Sequence, residues 1–177
     1  MRGFGEMDIR VKPLEAEEVR RLVAVFSGTA WFVSRLYFEG FLKEQERGER
    51  TVLLAYAGED IAGYVTIKWL SYYPPFTEAG VPEINDLRVL PGFRRRGIGS
   101  ALVDEAERRI FERSPVAGIG VGMYSDYGPA QRMYVRRGYV PDGKGLYSGK
   151  HPVVPGRDVC VDDGLVLYFV KERGPGS

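Results

Sequence analysis

The sequence predicts an α/β (α+β) fold in a single domain, with a mixed, mostly antiparallel sheet. Three observations lead there. Helical segments alternate with strand segments along the chain, which implies a sheet flanked by helices. Two apolar runs meet at Gly58-Glu59 in a hairpin, which requires antiparallel pairing. At 177 residues the chain is long enough for one sizeable core and short for two.

The elements follow from local pattern. Residues 1–6 read as a flexible leader, residues 7–12 alternate as a first strand, and a domain core extends over about 7–172. Residues 14–26 predict an amphipathic helix with Leu22, Val23 and Phe26 on its apolar side, and Ser27-Gly28-Thr29 interrupts it. A second helix is expected over 32–47. Trp31, Phe32, Tyr37, Phe38 and Phe41 make this region aromatic, which fits either core packing or the wall of a pocket. Residues 51–57 and 60–70 are the hairpin strands, and the tyrosine- and proline-rich stretch 71–80 reads as a loop, either solvent-facing or a lid. Residues 83–89 and 116–122 are further strands, the second rich in glycine, which marks close approach by a ligand or by backbone. A short helix precedes Gly138 and a strand begins at Tyr139. Residues 142–163, with four glycines and two prolines, read as a long irregular section; 165–170 is a closing strand and 173–177 a flexible tail.

Composition narrows the function classes. Lys plus Arg is 25 against 24 acidic residues, so a net charge of +1 argues against a nucleic-acid binder relying on a broad basic surface. No apolar run reaches membrane-spanning length and no signal-peptide core opens the chain, so no membrane partner is expected. Cys160 is the only cysteine, which excludes an intrachain disulfide and suits a reducing, cytoplasmic setting. His151 is the only histidine and reads as a surface residue; no metal-ligand spacing is present.

The local concentration of charge is different. Strand 83–89 turns at Pro91-Gly92 and crosses Arg94-Arg95-Arg96-Gly97-Ile98-Gly99-Ser100 into a helix whose apolar face is Ile98, Leu102, Val103, Ala106 and Ile110. Unpaired N–H groups and the positive end of the helix dipole make such a junction an anion site. Glycine lets a phosphate approach the backbone, and the arginines add charge around it. The stretch is not a P-loop, which needs Lys-Ser or Lys-Thr after its last glycine. It also lacks the third glycine of the dinucleotide fingerprint.

What remains, Arg94-x-x-Gly97-x-Gly99, resembles the pyrophosphate loop of the GNAT superfamily of acetyl-CoA-dependent N-acetyltransferases. A second segment strengthens the resemblance: Ala130, Tyr134, Gly138 and Tyr139 match the family's later helix motif, in family order. Tyr127 stands where the family often has Asn, so that residue's pantetheine contact is not carried over. The resemblance extends over roughly residues 50–172. It implies a single GNAT-like domain in which two neighbouring parallel central strands, ending near Val89 and Gly122, splay around the pantetheine arm. It implies acetyl-CoA as co-substrate, held by Leu87, Val89, Arg94, Arg95, Arg96, Gly97, Ile98, Gly99 and Ser100. The acceptor is then a small-molecule or peptide amine, and a homodimer is allowed.

Acetyl transfer to an amine needs a route for the amine proton, a donor for the developing oxyanion, and a proton for the leaving thiolate. Glu83 sits where many GNAT enzymes place a base acting through water, although a strand-edge carboxylate also serves salt bridges. Asp86 is the rival base. Strand alternation puts the two on opposite faces, so only one can face the acceptor. By resemblance the Leu87 N–H donates to the acetyl carbonyl, Val89 pairs with pantetheine, and Tyr134 is the general acid. Cys160 lacks a nearby base partner and is a poor acyl carrier. Alternatives of the same fold are a longer acyl donor, or a non-catalytic acyl-CoA sensor.

Overall fold

The structure is a computed structural model and describes residues 8–29, 31 and 34–174. The expected leader, the last three residues of the expected tail, Met7 and Phe32 lie outside the described residues. In chain order the elements are β1 (Ile9–Pro13), α1 (Val19–Phe26), α2 (Arg35–Glu46), β2 (Arg50–Ala57), β3 (Asp60–Lys68), α3 (Pro74–Ala79), β4 (Glu83–Val89), α4 (Ile98–Phe111), β5 (Val116–Gly122), α5 (Gly128–Arg136), β6 (Val140–Ser148), β7 (His151–Pro152) and β8 (Leu165–Glu172). They fall into two compact units, residues 1–69 with 84–109, and residues 70–83 with 110–177.

In the first unit β1, β2, β3 and β4 follow one another in hydrogen-bonded order. β1 pairs antiparallel with β2 from Ile9↔Ala57 to Pro13↔Leu53, and β2 with β3 across the predicted hairpin. Gly63 of β3 lies hard against β4: a Cβ there would be 2.5 Å from the Arg88 carbonyl oxygen. The helix expected over 14–26 begins later than its pattern suggests. The Leu14 N–H donates to the Val52 carbonyl at 2.9 Å, which keeps residue 14 in the sheet; a 3-10 turn at Ala16–Glu18 then leads into α1. α2 starts where Ser34 accepts from the Tyr37 N–H at 3.2 Å, a side-chain cap. Val19, Leu22 and Phe26 of α1 and Phe38 and Phe41 of α2 pack with Val52, Leu54, Ile61 and Tyr64 of the hairpin. Phe26 meets Phe38 and Tyr64 at centroid distances of 6.5 and 5.2 Å. Burial of this kind contributes about 1.5–3 kcal/mol for each large apolar side chain. Core packing is therefore what the described aromatic residues of 31–41 do, and Tyr37 does more, as described below.

In the second unit the order is β5, β8, β6, β7, antiparallel throughout. β5 has three glycines, and each is occupied by a ring. A Cβ on Gly118 would fall 2.2 Å from the Phe76 ring, on Gly120 2.9 Å from Tyr168, and on Gly122 2.4 Å from Tyr127.

Two stretches depart from the sequence expectation. Residues 74–79, expected as loop, form the short helix α3, which begins on a proline pair and closes on Gly80 at φ +64°. Tyr73 and Phe76 are buried there, while Tyr72 is exposed. The stretch from Asp142, expected to be irregular, continues β6 to Ser148. Pro141 pairs with Phe169 and Leu146 with Leu167, so residues 142–145 bulge opposite Tyr168. Gly143 and Gly145, at φ +79° and +78°, supply the left-handed backbone for this, and they are what broke the strand pattern in the sequence.

Candidate functional site

The loop between β4 and α4 is built by its backbone. Pro91–Phe93 form a 3-10 turn, Arg95 is left-handed at φ +57°, and Gly97 stands at φ +83° before the helix begins. The Gly97 carbonyl accepts the first helical bond, from the Ala101 N–H at 2.9 Å. The N–H groups of Ile98, Gly99 and Ser100 therefore precede the intrahelical ladder. Arg94, Arg95, Arg96 and Ser100 are exposed around them. Arg94 is tethered: its Nε donates to the Val89 carbonyl at 3.2 Å and its guanidinium lies 5.4 Å from the Trp31 ring. The Ile98 side chain is 1% exposed on the apolar face expected for it, which leaves its backbone N–H to face a ligand.

Asp86, on β4 in the first unit, stands at φ +54°. A left-handed Asp interrupts the regular pleat, so the parity argument separating it from Glu83 does not apply across it. Its Oδ2 accepts from the hydroxyls of Tyr37 at 2.5 Å and Tyr64 at 2.8 Å, and its Oδ1 from Arg88 Nε at 2.7 Å. Burial, then the Asp86 charge, pushes both phenols above their ordinary range, so they remain donors. Burial opposes the Arg88 charge, yet Asp86 holds the guanidinium above its usual value.

Glu83 opens β4 in the second unit and is 4% exposed. Ser71 Oγ donates to its Oε2 at 2.5 Å and accepts from the Tyr73 N–H at 3.0 Å. The Tyr73 hydroxyl donates to Asp142 Oδ2 at 2.6 Å, and its ring stacks on Tyr168 at 3.6 Å between centroids, 4° from parallel. Burial first, then the charges of Glu83 and Asp142, raises the Tyr168 phenol. Tyr134 of α5 is buried, with Tyr139 edge-on at 5.9 Å, and burial keeps its phenol protonated well past neutrality.

Residues 16–139 match the model of the Acetyltransferase (GNAT) family. The chain belongs to that family. It is an acyltransferase, with the family's α/β fold of mostly antiparallel strands flanked by helices. The match begins at residue 16, well before the segment that carried the resemblance. Solved GNAT structures share the fold. Ribosomal-protein-alanine N-acetyltransferase from Brucella melitensis superposes with a TM-score of 0.68 at 18% identity, covering 93% of this chain and 99% of its own. Arabidopsis thaliana NAA60 in complex with acetyl-CoA gives 0.66 at 18%, covering 93% and 98%. Spermidine N-acetyltransferase from Vibrio cholerae in complex with CoA and spermine gives 0.64 at 14%, covering 93% and 95%. No protein of curated function matches the sequence.

Tyr127, the position where the resemblance departs from the family pattern, has a use of its own. The Tyr127 ring fills the space over Gly122, and its hydroxyl, with that of Tyr124, donates to Asp163; the Tyr127 bond is 2.9 Å. His151 lies exposed in β7, and the exposed Cys160 thiol is raised by its hydrogen bond with Asp162, which disfavours the reactive thiolate. Among the described residues no group of three or more His, Cys, Asp or Glu could hold a metal ion, and no helix is long and apolar enough to cross a membrane. Sequence reasoning missed Ser71, Tyr73, Asp142 and Tyr168. They surround Glu83 or one another only through tertiary packing, and no local motif announces them.

Proposed function

We propose that this GNAT protein transfers the acetyl group of acetyl-CoA directly to a primary amine, in the cytoplasm. The observation that carries the reading is the loop into α4. Its left-handed Gly97, the N–H groups of 98–100 and three exposed arginines fit a pyrophosphate in shape and sign. In this reading acetyl-CoA supplies the acyl group and the chain supplies the rest. Glu83 takes the amine proton through water. The left-handed residue at Asp86 interrupts the strand just before Leu87, which supports the Leu87 N–H as donor to the carbonyl oxygen and Val89 as the pantetheine partner. Asp86 is the less available base, because two hydroxyls and a guanidinium already bond its oxygens. Tyr134, kept protonated by burial, gives its proton to the departing sulfur.

The test is thermal unfolding with acetyl-CoA, paired with thiol release across a panel of amines. Saturating acetyl-CoA stabilises by about 2.7 kcal/mol at a hundredfold excess over Kd, which is several degrees in Tm. Gly99→Val should lose the rise while melting normally without ligand. An equal rise in both proteins would remove the loop from the binding site. Binding with no thiol release on any amine would point to a sensor instead.

A further inference from the structure

The structure assigns Ser71 as the positioning residue for Glu83, an inference that rests on Glu83 being the base. A serine hydroxyl has one proton and a free rotor, so its hydrogen bond normally swaps between donating and accepting. Here the rotor is set. The Tyr73 N–H donates into Ser71 Oγ at 3.0 Å, leaving the proton to point along the 2.5 Å contact to Glu83 Oε2. Ser71 is 3% exposed, so water does not compete for that proton. Its backbone is fixed as well, because Thr77 Oγ1 donates to the Ser71 carbonyl at 2.6 Å and ties it to α3. The start of α3 therefore presents a proton in one direction, toward one carboxylate oxygen.

One consequence bears on catalysis. The bond fixes the Glu83 carboxylate rotamer, so that the oxygen that takes the proton is set in advance. Within the second unit Tyr168 of β8 feels the Glu83 charge, with those of Asp142 and Tyr147 of β6. Burial first, then the Glu83 and Asp142 charges, keeps the Tyr168 phenol neutral through the assay range.

The experiment compares kcat and KM for wild type, Ser71→Ala, Ser71→Thr and Glu83→Gln, with one amine throughout. Ser71→Ala should lower kcat by about tenfold, with KM for acetyl-CoA unchanged. Ser71→Thr keeps the hydroxyl and should restore the wild-type kcat; an unchanged acetyl-CoA-induced rise in Tm certifies that both variants fold. A Ser71→Ala kcat equal to wild type, or a loss that Ser71→Thr does not restore, overturns the positioning role while Glu83→Gln inactivity preserves the base. A fully active Glu83→Gln removes the base, and with it anything for Ser71 to position.

Discussion

Three residues apart on one strand, Asp86 and Glu83 sit among different donors, and the proposed reading gives these similar carboxylates different uses. Asp86 collects two tyrosine hydroxyls and a guanidinium, and its neighbours belong to the aromatic core of the first unit. Such a carboxylate holds α2, β3 and β4 together by satisfying groups that would be expensive to leave unpaired. Glu83 accepts the oriented Ser71 hydroxyl at Oε2, from the turn before α3. In the proposed reading the first acid is scaffolding, and the second, held by a locked hydroxyl, serves proton transfer.

The sharpest break of that contrast comes from Glu83→Gln. It should lower kcat/KM by about 10²–10⁴-fold near neutrality, the usual contribution of a positioned base, with part of the rate returning at high pH where the amine loses its proton unaided. Steady-state kinetics across pH reads it. An unchanged rate would put Glu83 with Asp86 among the structural acids. Asp86→Ala should act on folding instead, costing about 2–3 kcal/mol in denaturant unfolding by stranding Tyr37, Tyr64 and Arg88. If that variant unfolds like wild type yet fails to turn over, the two roles are exchanged.

A third carboxylate sets the scale for an acid on the surface. Glu105 of α4 accepts from Arg108 and Arg109 at 2.8 and 2.7 Å, and these hydrogen bonds, against a smaller burial penalty, bring it down to about 2. A depressed carboxylate stabilises the fold above its unfolded value and loses that contribution as pH falls through the folded one. Solvent screening around Arg108 reduces the effect to about 1 kcal/mol. Glu105→Gln should therefore lose that much at pH 7 and progressively less as pH falls toward the folded value, measured by chemical denaturation. A difference undiminished at low pH would mean packing, not charge.

Legibility followed the range of the interaction. β4 and β5 run over the residues expected from pattern, and the apolar face predicted for α4 is the buried one, because burial periodicity is written locally. The loop proposed to hold a pyrophosphate stood out for the same reason, since its glycines and arginines lie together in the sequence. α3 was hidden because a proline pair reads as a turn, although proline also suits a first helical turn. β6 was hidden by Gly143 and Gly145, which belong to its bulge. Asp86 and Glu83 could be nominated from their place in the strand, but not told apart. Their partners Tyr37, Tyr64 and Ser71 lie far away in sequence or on an element that was not foreseen.

The rings over β5 have a consequence for how this protein can vary. Phe76, Tyr168 and Tyr127 come from α3, β8 and the turn before α5, and each occupies the place of a missing Cβ. An alanine at 118, 120 or 122 would evict the ring above it, and a smaller residue at 76, 168 or 127 would leave a hollow over a bare backbone. Each glycine and its ring thus form one heritable unit. Neither tolerates change alone, while a paired exchange of a larger strand residue for a smaller lid residue stays open. In a library of random variants, such pairs would surface as compensating double substitutions.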